Sequence, residues 1–154
     1  MTTANYTYHY TSVNVNETSA ITFEVKTRSS PRIGLFADIK RSFKGEQFYE
    51  VLIGYSSGTQ SGLRKTGLGN IIYSTVASAN SILSETEFRN FWISWADNII
   101  SVGHGNIIGQ DLIMSYDDSS SPYAINYMAF SSYETMVAEW KYHTGNTMYL
   151  LFFF

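Results

Sequence analysis

Apolar residues at every second position, in short runs closed by turn-forming clusters, constrain this chain more than any other feature. In AITFEVKTR, Ile21, Phe23 and Val25 fall on one face and Thr22, Glu24 and Lys26 on the other. A helix would scatter those residues around its axis, whereas a strand sorts them into a core side and a solvent side. The same pattern groups Ile33, Leu35 and Ala37 in RIGLFADI, after a turn at Pro31, and runs through FYEVLIGY to Gly54. Further strands are expected at NIIYSTVAS, FWISW, IISVG, QDLIMSY, AINYMAF, VAEWKYH and TMYLLFFF. Between them stand SSGTQSG, read as a polar loop, and the turns ADN, DDSSSP, SSYET and TGN. SILSETEFRN resembles a capping box, which would allow one helical turn. About ten short strands at regular spacing predict an all-β fold, a single antiparallel β-sandwich (jelly-roll-like) over residues 1–154.

The most patterned stretch is FRNFWISWADNIISVGHG, residues 88–105. It reads as two strands joined at Ala96–Asn98, because Asp and Asn tolerate the tight conformations a hairpin needs. Alternation groups Phe91, Ile93 and Trp95 as core residues and leaves Trp92 and Ser94 on the other face, so Trp92 is expected at the periphery. His104, between two glycines, falls in a loop at one rim.

At 154 residues the chain is long enough to bury a sizeable core. It has no cysteine, so neither a disulfide framework nor thiolate chemistry is available. MTTANYTYHY lacks the basic start and apolar stretch of a secretory signal. A cytoplasmic or non-classically secreted protein is therefore expected, and the sequons at Asn5 and Asn16 read as chance matches. No apolar run approaches the roughly 20 residues of a membrane span. Charged residues make up only 15% and aromatics 16%, with twelve tyrosines, so the surface must be built largely from Ser, Thr, Asn, Gly and Tyr. Such a surface suits neutral polar ligands such as sugars, and protein partners too. Without a basic block, nucleic acid is not an expected partner.

Motifs for chemistry are sparse. His9, His104 and His143 do not stand at metal-ligand spacing, and no Gly-x-Ser-x-Gly elbow accompanies them. Asp117 and Asp118 in YDDSSSPY offer paired oxygens of the kind calcium accepts, but Asp and Ser are also ordinary turn formers. TGLGN, residues 66–70, looks like a cofactor-binding glycine turn, yet its flanks fit neither a buried strand before it nor a helix after it. Arg64 and Arg89 are plausible polar anchors for carboxylates or paired sugar hydroxyls. No catalytic residue, metal or cofactor is expected.

Residues Glu87, Arg89, Phe91, Trp92, Ile93 and Trp95, then Val102, Gly103 and Gly105, resemble the Glu-x-Arg-x-Phe-Trp-Ile-x-Trp … Val-Gly-x-Gly segment of the farnesoic acid O-methyltransferase-type domain. Upstream, FYEVLIGYSSGTQSGLRK is similar to that family's Tyr-x-Val-x-Ile-Gly stretch and the Ser-x-x-Arg after it; downstream, AEWKY matches its closing strand through Trp140. The likeness covers roughly residues 20–143. It implies a compact β-sandwich and, from the lectin-like and adhesive partners to which such domains are attached, a role in recognition. Members often carry tryptophan where this chain has Tyr116. The family name implies methyl transfer, for which the residues offer no glycine-rich α/β turn.

The reading that follows is a non-enzymatic, lectin-like carbohydrate-binding protein made multivalent by homo-oligomerisation. A structural or adhesive self-association module is the alternative, and a methyltransferase a more distant one. The expected ligand site is the acidic loop, with Asp117 and Asp118 accepting bonds from sugar hydroxyls and Tyr116 or Tyr123 supplying an apolar face. His104 and Arg64 are the next candidates, on other loops. As an exposed turn residue, Asp118 should be replaceable at a cost within about 0.5 kcal/mol.

Overall fold

The computed structural model of the chain describes residues 9–28, 30–38, 45–67, 69–76, 78, 80–132, 137–144 and 147–153. Twelve strands are found among them. They are β1 (His9–Asn14), β2 (Ala20–Thr27), β3 (Arg32–Phe36), β4 (Gln47–Gly54), β5 (Gln60–Thr66), β6 (Tyr73–Val76), β7 (Arg89–Ser94), β8 (Ile99–His104), β9 (Leu112–Asp117), β10 (Tyr127–Ser131), β11 (Ala138–Thr144) and β12 (Thr147–Phe153). All pairings are antiparallel. One six-stranded sheet has the order β1-β10-β3-β4-β5-β6 and the other β12-β11-β2-β7-β8-β9. The expected β-sandwich is the fold.

Alternation does what it promises in β2. Ile21, Phe23 and Val25 enter the core shared by both sheets, together with Ile33, Leu35, Val51 and Phe130 from the facing sheet. Rings join the layers: Trp140 on β11 lies 4.7 Å from Phe130 on β10, centroid to centroid. Along one side, the Thr75 hydroxyl of β6 donates to the Ile113 carbonyl of β9 at 3.0 Å, and Tyr73 meets Tyr116 at 5.7 Å. Strand β4 is buried on both faces. Tyr49, Val51 and Ile53 point into the shared core, while Phe48 stacks on Phe36 at 4.4 Å on the other side.

Several local expectations need correction. The segment SSGTQSG is not one loop. Residues Tyr55–Gly58 make a tight turn with Ser56 and Ser57 at φ 56° and 60°, and β5 starts at Gln60. The strand was hidden because Leu63 is the one large apolar residue among its buried positions, beside Ser61 and Gly62, so no hydrophobic run results. Gly62 is required there, since a Cβ would stand 2.8 Å from the Tyr73 carbonyl oxygen of β6. No helix forms at SETE. The Ser84 hydroxyl does accept from the amides of Thr86 and Glu87, at 3.2 and 3.1 Å, but the chain then extends into β7. The polar strand β1 carried no alternation signal either.

The β7–β8 hairpin forms as expected around Asp97 and Asn98, both left-handed at φ 55° and 62°. Trp92, however, is not peripheral: it is buried. It sits opposite Gly103 of β8, where a Cβ would lie 2.3 Å from the indole. The indole N–H donates to the Gln110 carbonyl at 2.7 Å, so the β8–β9 connection covers it on the outer face of the sheet. Alternation told which side Trp92 points to, but not that a loop would fold over that side.

Candidate functional site

Register places the candidate residues before any chemistry is considered. Ile99 pairs with Asp117 at one end of the β8–β9 ladder and Gly103 with Leu112 at the other. His104 and the acidic loop thus lie at opposite ends of the sandwich, about 17 Å apart along the strands. The ends of β3 and β10, the β1–β2 turn and the β7–β8 hairpin gather at the acidic-loop end: Val15 N–H donates to the Asn126 carbonyl at 2.9 Å and Trp95 N–H to the Ser19 carbonyl at 2.8 Å.

The two adjacent aspartates have separate fates. Asp117 is exposed and closes its own turn, accepting from the Ser119 amide at 2.9 Å and the Ser119 hydroxyl at 2.5 Å. Those bonds favour the carboxylate and hold its pKa below the usual value. Asp118 is not the exposed turn residue expected: it is 2% exposed. Its Oδ2 accepts from the Tyr49 hydroxyl at 2.5 Å and lies 2.6 Å from the Lys65 ammonium. The Tyr49 oxygen accepts from the Tyr123 amide at 2.9 Å, and Lys65 also donates to the Ser121 carbonyl at 2.7 Å. Burial first, and then the hydrogen bond to Asp118, push the Tyr49 phenol far above its ordinary pKa, so it stays a donor. This cluster pins the acidic loop to β4 and β5. Asp118 already serves two donors from the protein.

Of the aromatic pair, Tyr123 lies 5.1 Å from Tyr49 with the Lys65 ammonium 4.5 Å above its ring, so one face is occupied. Tyr116 is half-buried, packs against the core and meets the ring of Tyr73. Arg64 stands on β5 rather than on a loop and binds the fully buried Glu50 at 2.7 Å, with Arg32 3.7 Å from the same oxygen. His104 ends β8, its ring 5.5 Å from Phe91. Burial lowers its pKa below 6.5, partly offset by the Asp111 carboxylate. The structure therefore unites Asp118 and Tyr123, through Tyr49 and Lys65, and leaves Asp117, Tyr116, Arg64 and His104 in separate settings.

Among the described residues, a cleft and a larger groove open at the acidic-loop end. A cleft of about 160 Å³ is lined by Tyr49, Trp95, Asn98, Ile100 and residues Tyr123–Ile125. A larger groove of about 430 Å³ runs from the β1–β2 turn onto the outer face of the second sheet. Asn14, Glu17 and Thr18 come from the turn and its flank, Thr22 from β2, His143 from β11 and Ile108 from the β8–β9 connection; Val15, Ala20 and Ile21 complete the lining. Thr22 and His143 reach the outer face because they alternate with the buried Ile21, Phe23 and Tyr142. The groove offers hydroxyl, amide, imidazole and one carboxylate group around an aliphatic floor. No sequence signal marks it, because its lining comes from three separated segments, residues 14–22, Ile108 and His143, and no two of these form a motif.

The glycine turn at residues 66–70 does not fit a cofactor cradle. The amides of Gly67 and Gly69 are spent on the carbonyls of Glu46 and Thr66, at 3.0 and 2.9 Å, and the strand β6 follows where a nucleotide-binding turn would open a helix. Among the described residues no group of three or more His, Asp or Glu converges as a metal site, and no helix is long and apolar enough to cross a membrane. No curated protein matches the chain. The family model described as farnesoic acid O-methyltransferase matches residues 3–146, and with nearly the whole length covered the chain belongs to that family.

Proposed function

We propose that this chain is a lectin-like carbohydrate-binding protein, without enzymatic activity, that binds neutral glycans in the groove between the β1–β2 turn and β11. The observation that carries the reading is the chemistry of that lining. Thr22 donates and accepts without charge, Asn14 keeps its side-chain NH2 as a donor while its oxygen accepts from the Asn16 amide, Glu17 supplies a carboxylate for paired hydroxyls, and Ile108 and Ala20 give an apolar surface for ring C–H groups. A space of about 430 Å³ lies within the range of small-ligand sites. Asp118 stands outside the binding set, because it is committed to Tyr49 and Lys65. A single shallow site of this kind is expected to bind in the millimolar range, about 4 kcal/mol, so useful binding requires several sites.

Glycan-array binding with hapten inhibition tests the reading. Glu17→Gln should weaken binding at least tenfold, while Asp117→Ala, whose carboxylate only closes its own turn, should leave it unchanged. The reverse result would return the site to the acidic loop. No binding to any glycan by folded protein at high concentration would remove the lectin reading. Saturable calorimetric binding of S-adenosylmethionine would favour the activity in the family's name.

A further inference from the structure

We infer that β12 is a self-association edge, pairing antiparallel with β12 of a second copy to join two sandwiches through one continuous sheet. Strand β12 is the outermost strand of its sheet, bonded to β11 on one side. Among the described residues no strand takes its other side. An edge of this kind presents a row of backbone donors and acceptors that template another strand unless something blunts them. Nothing in Thr147–Phe153, TMYLLFF, does so: it has no charge, proline or glycine, and it is seven residues long. Met148, Tyr149 and Leu150 are 55%, 42% and 44% exposed.

The other three edges are managed. Strand β6 is only four residues long. Strand β9 ends in the charged Asp117 and is tied across to β6 by the Thr75 hydroxyl. Strand β1 pairs irregularly, with a register shift between His9 and Val13, a device that twists an edge away from partners.

The occupant that fits is a second copy. Antiparallel pairing of a strand with itself needs no complement beyond its own sequence, and an uncharged strand sets no like charges opposite one another. With the two-fold axis at Leu150, the middle residue, each copy offers the same seven positions. The axis stands perpendicular to the joined sheet, so both outer faces lie on one side.

One consequence rests on the carbohydrate reading. His143, which lines the groove, is the register partner of Met148 on β12, so the groove borders this edge. From β2 of one copy to β2 of the other there would be five strand spacings, about 24 Å. Sheet twist of roughly 20–25° per strand tilts each groove some 50–60° from the axis and keeps both on the same side. Two weak grooves so placed would act together on a glycan-bearing surface.

The test is light scattering of the full chain over a wide concentration range, without sugar, with Leu150→Lys as the variant and Val76→Lys on β6 as the control. The wild-type protein and Val76→Lys should move from monomer toward dimer with concentration, and Leu150→Lys should stay monomeric at least tenfold higher. Hydrogen exchange of residues 147–153 gives a second readout that needs no variant: protection should rise with protein concentration. A dimer that survives Leu150→Lys, a monomer at every concentration, or protection independent of concentration would overturn the inference. The two readings separate in their failures. If both stand, Leu150→Lys keeps its affinity for a monovalent hapten and loses about 10²-fold on a dense glycan surface. If Leu150→Lys abolishes the dimer and no hapten binds, the pairing holds and the carbohydrate reading fails.

Discussion

Removing the Asp118 carboxylate would leave the Tyr49 hydroxyl without its acceptor and the Lys65 ammonium without its counter-charge, with the Ser121 carbonyl still accepting from it. Breaking one partner of a buried ion pair costs about 3–5 kcal/mol, and Lys65 is 17% exposed, so the low end applies. Asp118→Ala should therefore lower Tm by about 6–12 °C in a domain of this size, measured by thermal unfolding at neutral pH. Tyr49→Phe, which removes the bond to Asp118 and the acceptor of the Tyr123 amide but leaves the ion pair, should cost about 2–3 kcal/mol. A change within 0.5 kcal/mol for Asp118→Ala would mean the acid is solvated after all. YDDSSSPY could not disclose this, because the partners of Asp118 lie on β4 and β5, and nothing local distinguishes it from the exposed Asp117 beside it. His104 yields a prediction in pH. Its folded pKa lies below the unfolded 6.5, so the unfolded chain binds the proton more tightly. Its contribution is fully present above pH 6.5 and is lost as pH falls through the folded value. Tm of the wild type should thus drop between pH 7.5 and 5.5 by more than that of His104→Asn, and equal drops would show that the imidazole is solvated in both states.

At the scale of elements, the β7–β8 turn has the clearest physical requirement. Asp97 and Asn98 both hold positive φ, the conformation whose twist matches the flanking strands. The Asn98 carbonyl also accepts from the Asp118 amide at 2.9 Å, so the hairpin tip supports the acidic loop. Asn98→Gly keeps both features and should change stability by less than about 0.5 kcal/mol. Asn98→Val forces a β-branched side chain into the left-handed region and should cost about 1–2 kcal/mol by urea unfolding. Similar costs for the two variants would mean that the turn tolerates any residue. This hairpin was legible because Asp and Asn announce the turn and Phe91, Ile93 and Val102 announce the faces. Strand β5 was not legible, because Ser61 and Gly62 are buried where space is short and no hydrophobic run results. The groove was illegible for a different reason. Its members are brought together by β2–β11 pairing and by a loop folded over Trp92, both of which are products of the tertiary fold.

For the whole molecule, the question is whether the two sheets stand or fall together. Trp140 bears on this most directly. It belongs to the sheet of β2 and β11, yet its ring lies against Phe130 of the facing sheet as well as against Phe23 of its own, with centroids at 4.7 and 5.6 Å. Truncating a fully buried tryptophan costs about 3–5 kcal/mol. If the sheets form one cooperative unit, that loss acts on both. Unfolding of Trp140→Ala followed by far-UV circular dichroism, which reports all strands, should then coincide with unfolding followed by tryptophan fluorescence, which reports Trp92 on β7 and Trp95 just after it, two strands away in the same sheet. Trp140→Phe is the informative companion. The Trp140 indole N–H has no hydrogen-bond partner among the described residues, so phenylalanine gives up volume but also relieves an unsatisfied donor worth about 1–3 kcal/mol. It should therefore destabilise the protein by clearly less than half of what alanine does. Separated transitions in Trp140→Ala would show that the sheet of β3, β4 and β5 retains stability of its own, and equal losses in the two variants would show that the indole N–H is satisfied in solution.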